Sequence, residues 1–114
     1  MPTRFHITLP HPDQARGPDP SLSFRSVGAG GFAEELEDAL RESGLIARWR
    51  ALQQDPDEVD PAVLALDPDA VVTGRQQDLK IDLTVTTSLP GSILRHRMGL
   101  LAGSHWQLRD VTRA

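Results

Sequence analysis

Cysteine is absent from the 114 residues, which removes disulfides, thiolate metal sites and cysteine nucleophiles together and fits a reducing compartment. Tyrosine is absent too, and aromatic residues make up only 4% of the chain. A platform for stacking bases or sugars would have to use the three Phe and two Trp that a core of this size wants. No apolar run approaches the roughly 18 residues of a membrane span, so no membrane partner is expected. The opening MPTRFHITLP alternates in polarity and lacks the basic end and apolar run of a signal peptide. A cytoplasmic location is the expectation.

Recognised chemical motifs are missing as well. Gly28, Gly30 and Gly31 precede a helical pattern, but their spacing matches neither G-x-G-x-x-G nor a P-loop, and Glu34, Glu35 and Glu37 would repel a phosphate. His6, His11, His96 and His105 stand alone in sequence with no i, i+4 pair, and His96 lies between Arg95 and Arg97, so no metal or cofactor is expected. Asp55, Asp57, Glu58 and Asp60 share only their charge with a calcium loop, because Pro56 interrupts the pattern and no glycine follows. Ser88, Ser92 and Ser104 lie in no nucleophile elbow.

What the chain does hold is segregated charge. The total is −4, which argues against nucleic acid as the partner. Residues 32–72 carry eleven acids against three bases, whereas residues 73–114 carry six bases against three acids. An acidic middle beside a basic end suits self-association or a charged protein partner.

Hydrophobic periodicity predicts a single α+β domain over residues 1–114. Phe5, Ile7 and Leu9 alternate with Arg4, His6 and Thr8, the period of a half-buried strand. Residues 11–20 hold Pro12, Pro18 and Pro20 and read as a loop. Ser21 to Val27 resumes a strand pattern. Phe32, Leu36 and Leu40 open a helix, and Leu45, Ile46, Trp49 and Leu52 continue it past Gly44, as one kinked helix or two. Residues 54–62 form an acidic connection. Ala70 to Thr73 predicts a short strand, Gly74 to Gln77 a turn, and Leu79, Ile81, Leu83 and Val85 the clearest strand, closing an antiparallel hairpin. Ser88 fits an N-cap, Ile93 to Leu101 a helix, Gly103 its stop, and Trp106 to Val111 a last strand. From Ser21 onward the order is βαββαβ, the ferredoxin-like plan of an antiparallel sheet with two helices on one face, here with an extra N-terminal strand. The competing arrangement extends residues 92–102 as a strand.

Function is less legible, and three readings follow. The first is a non-catalytic binding or regulatory module acting through protein–protein contacts. Arg95, Arg97 and Arg109, beside Trp106 and near Arg113, are its partner-binding residues, since guanidinium forks recognise carboxylates and tryptophan anchors interfaces. Arg97 also suits a snorkelling position on its helix. RNA recognition on a sheet of this plan would need aromatic residues where the clearest strand has Leu79, Ile81, Leu83 and Val85. In the second reading, removal of Met1 exposes Pro2 at the head of a strand, and in this the chain resembles the tautomerase superfamily, whose members begin with a catalytic proline. That resemblance implies Pro2 as general base and Arg95 or Arg97 as the holder of a substrate carboxylate, although the loop and strand before the first helix depart from the family's opening. The third reading is an acidic inhibitor or immunity-type protein that meets a basic partner with Glu34, Glu35 and Asp38.

Overall fold

The computed structural model describes residues 2–114, which form an α+β fold of three α-helices and one four-stranded antiparallel sheet. The strands are β1 (Thr3–Leu9), β2 (Val71–Gln77), β3 (Lys80–Thr87) and β4 (Gln107–Arg113), in the spatial order β2-β3-β1-β4. Helices α1 (Ala29–Arg41) and α2 (Gly44–Ala51) lie between β1 and β2 in sequence, and α3 (Gly91–Ala102) lies between β3 and β4. Among the described residues no helix is long and apolar enough to cross a membrane.

Alternation in the two central strands sets the register. Phe5, Ile7 and Leu9 of β1 face Val85, Leu83 and Ile81 of β3, and all six are buried. A one-residue slip would send this whole set to the opposite face. On the other side of β1 the ladder with β4 shifts between His6 and Ile7, leaving Arg109 as the extra residue of a bulge. The inward strand side chains share one core with Phe32, Leu36 and Leu40 of α1 and with Ile93, Leu94, Met98 and Leu101 of α3. Phe32, Leu36 and Leu40 recur every four residues, and Leu94, Met98 and Leu101 every four or three with Ile93 alongside, so each helix buries one stripe.

Several expectations are corrected here. Ser21–Val27 is not a strand. Leu22 and Phe24 are buried as the pattern implied, but their neighbours' backbone is held by side chains and helix ends. The Glu35 carboxylate accepts from the Arg25 and Ser26 amides, and the Phe24 amide donates to the Leu101 carbonyl at the end of α3. Phe24 meets Phe32 edge-on, with ring centroids 4.9 Å apart. The Phe5 strand is therefore the first of the four strands and not an addition to them. The helical run after Gly28 is two helices, separated where Glu42 turns extended, so the count is three. Residues 92–102 are helical.

Gly74 to Gln77 is likewise strand, not turn. The hairpin closes through Asp78 and Leu79, with Asp78 at φ 54°. Gly74 sits within β2 because α1 passes against it: a Cβ there would lie 2.3 Å from the Ala29 carbonyl oxygen. Ser88 does not cap α3. Its amide donates to the Asp67 carboxylate, and Pro90 takes the cap position. Asp67 also accepts from the Thr87 hydroxyl at 2.7 Å and from the Asp69 amide at 3.0 Å. Burial works against its charge, but these hydrogen bonds prevail and hold the carboxyl below its ordinary value.

Candidate functional site

The same alternation that fills the core leaves the other half of each strand for a second surface. Along β1 and β3 this half consists of Arg4, His6, Thr8, Asp82, Thr84 and Thr86, polar residues without exception. Cross-strand pairing carries the pattern outward. Thr73 of β2 lies opposite Thr84, Arg75 opposite Asp82, and Gln77 opposite Lys80. On the β4 side Gln107 lies opposite Thr8 and Asp110 opposite His6.

His6, Thr8, Thr73, Asp82, Thr84 and Gln107 help to line a depression of about 750 Å³. Every residue lining it belongs to one of the four strands or is Pro10, which directly follows β1, and no helix contributes. Its charged side chains are Arg75, Lys80 and Arg109 against a single acid, Asp82. Asp82 accepts a 2.7 Å hydrogen bond from Thr8, and Arg109 donates to the Gln107 side chain at 3.1 Å. Among the described residues, none of the three cations has a carboxylate within ion-pairing distance. The arrangement gives hydroxyls, an imidazole and three available cations on a hydrogen-bonded ladder. Side chains of these types can donate hydrogen bonds to carboxylates.

A second polar cluster lies inside the protein. Arg97 is 0% exposed, and its Nη2 donates to the Ala65 carbonyl at 2.7 Å while Nε and Nη1 have no partner among the described residues. Burial lowers its pKa. Neighbouring His96 packs edge-on against Trp49, ring centroids 4.5 Å apart, with Nδ1 buried and without a partner among the described residues. Burial, and next the charge of Arg97, hold the imidazole below its ordinary value.

The partner-binding residues expected from sequence are not brought together. Arg95 is exposed on α3, whereas Arg97, two residues on, is wholly buried and presents no surface. Trp106 packs against the core, its indole N–H donating to the Gly103 carbonyl at 3.0 Å. Only Arg109 reaches the depression. Pro2 is exposed ahead of β1, Met1 lies outside the described residues, and the guanidinium of Arg97 is already committed to Ala65. On α1, Glu34 and Asp38 are exposed, but Glu35 and Glu37 hold the amides of Ser26 and Val72. Among the described residues no group of three or more His, Asp or Glu is placed to hold a metal ion. No protein family, curated protein or solved structure matches the chain.

Arg75, Lys80, Asp82, Thr8 and Thr84 were missed by sequence reasoning. The signal was present as the polar half of the alternating strands, which had been used only to locate the apolar half.

Proposed function

We propose that this chain is a non-catalytic binding or regulatory module acting through protein–protein contacts, with its sheet as the contact surface. The observation that carries this reading is the depression lined by strand residues alone, a broad polar face of a rigid sheet. The edges add to it. Val71 of β2 and Val111 of β4 are 45% and 48% exposed, apolar residues on strands that each have a neighbour on one side only. An edge strand with exposed apolar side chains is a template for pairing with another chain.

The finer architecture that supports this is the ferredoxin-like plan. Strand order β2-β3-β1-β4, with helices following β1 and β3, agrees with it. So does the shortest dimension of 18 Å, since packed layers stand about 10 Å apart and a helix layer on each face would need more depth. The three helices then cover one face and leave the other for a partner. The absence of cysteine supports a cytoplasmic setting, where such a module meets other soluble proteins.

A photo-crosslinking amino acid at Thr84, on the polar face, tests the reading in the host cell against the same group at exposed Ala47 on α2. The expected result is one crosslinked protein from Thr84 and none from Ala47. Crosslinks from neither position, or the same products from both, would refute it.

A further inference from the structure

We infer that the polar sheet face docks an extended acidic peptide segment of the partner protein, held by Arg75, Lys80 and Arg109. This rests on the interaction-module reading and names the partner's chemistry. Charge complementarity carries it. The chain as a whole is acidic at −4, yet this depression gathers three cations and one carboxylate. The carboxylate, Asp82, lies opposite Arg75 in the ladder but accepts its hydrogen bond from Thr8. A surface positive against the sign of its own protein selects an anionic partner.

Geometry narrows the anion to an extended chain. Arg75 lies on β2 and Arg109 on β4, at opposite edges of the four strands, with Lys80 on β3 between them in order. Three strand spacings amount to about 14 Å, the length of roughly four extended residues. A segment crossing the strands can therefore set acids at both ends of such a stretch against the two guanidinium groups. Thr84 of β3 offers a hydroxyl to its backbone between those edges, and Thr73 a second beside Arg75. Nucleic acid fits less well, because no Phe or Trp lines the depression and single-stranded binders hold bases by stacking on such rings.

The test uses the full chain, ¹⁵N-labelled, titrated with a twelve-residue peptide of alternating Glu and Ser. A Gln/Ser peptide and a twelve-residue oligothymidylate serve as comparisons. The expected result is saturable binding of the Glu/Ser peptide, with amide shifts centred on Arg75, Lys80, Thr84 and Arg109. Affinity should fall at least about tenfold in the triple variant Arg75→Glu, Lys80→Glu, Arg109→Glu, as charge reversal at a complementary surface implies. All three side chains are exposed, and the wild-type shift map locates the site independently of that variant's folding. Absence of binding, equal affinity for the Gln/Ser peptide, shifts centred elsewhere, or tighter binding of the oligonucleotide would each overturn the inference. If the peptide fails while Thr84 still crosslinks to one protein in cells, the module stands and only its partner's chemistry falls.

Discussion

Placing one methyl group at two glycines should move stability in opposite directions. At Gly74 an added Cβ meets the Ala29 carbonyl oxygen at 2.3 Å, its carbon at 2.9 Å and the Ala33 Cβ at 3.3 Å. Ordinary contact begins near 3.4 Å, so helix α1 and strand β2 would have to separate by about 1 Å. Neither is free to do so. Gly74 is fixed opposite Leu83 in the ladder, and Ala33 is buried beside Phe32 in the core. Overpacking of this kind costs about 1–3 kcal/mol, offset by the roughly 0.5–1 kcal/mol that alanine gains over glycine inside a regular element. Because the clash is with backbone at 2.3 Å, the cost falls in the upper part of that range, about 2–3 kcal/mol, and Gly74→Ala should lose about 1–2.5 kcal/mol net. At Gly99, inside α3, a Cβ meets nothing within 4 Å, and Gly99→Ala should gain about 0.5–1 kcal/mol from helix propensity alone. Urea titrations followed by circular dichroism measure both, and in thermal melts each kcal/mol should appear as about 4 °C. A neutral or stabilising Gly74→Ala would refute the close approach of α1 to β2.

Three further outcomes follow from the core and its buried polar groups. Leu83→Ala, at a site 1% exposed on a central strand, should cost about 2–5 kcal/mol by urea titration, and a loss under about 0.5 kcal/mol would place the core elsewhere. Asp67→Ala strands the Thr87 hydroxyl and the Ser88 amide and should cost about 2–3 kcal/mol, whereas an unchanged midpoint would show those hydrogen bonds to be dispensable. The His96 imidazole is held below its ordinary 6.5 by burial and then by Arg97, so near neutral pH the native ring is uncharged. As pH falls below 6.5 the unfolded chain takes up a proton that the native state refuses, and stability declines until the native pKa is passed. His96→Phe, which keeps an aromatic edge against Trp49, should reduce the fall in urea midpoint between pH 7.5 and 5.5, and an identical fall would assign it to other groups.

How much of this could be read from the chain depends on whether a residue's partner was nearby in sequence or distant. The central strands were legible because Phe5, Ile7 and Leu9 alternate against the same period in Ile81, Leu83 and Val85, and each pattern stands alone. Residues 92–102 were readable as helix because Ile93, Arg97 and Leu101 share a face. Ser21–Val27 has the alternate burial of a strand without a ladder. Leu22 and Phe24 are buried by docking against helices, and Glu35 supplies the hydrogen bonds that a neighbouring strand would have given. Gly74 was read as a turn residue because sequence does not reveal that a helix will lie against it. The depression was the least legible feature. Arg75, Lys80 and Arg109 share a surface only through the ladder order β2-β3-β1-β4, which brings distant segments side by side.

That ladder order also governs when the protein can fold. β1 leaves the ribosome first, yet it lies between β3 and β4, whose residues begin at Lys80 and Gln107. At about 5–20 residues per second, roughly 4–15 s of synthesis separate Leu9 from Lys80. Throughout that interval Phe5, Ile7 and Leu9 have neither β3 nor β4 to pair with, and the residues of two helices emerge downstream of them before either neighbour exists. The ends meet last, with the Ala114 amide 3.5 Å from the Pro2 carbonyl oxygen. Nascent chains halted before β4 should therefore be open to proteases along their whole length, and protection should arrive in one step once the final strand is free to close against the first.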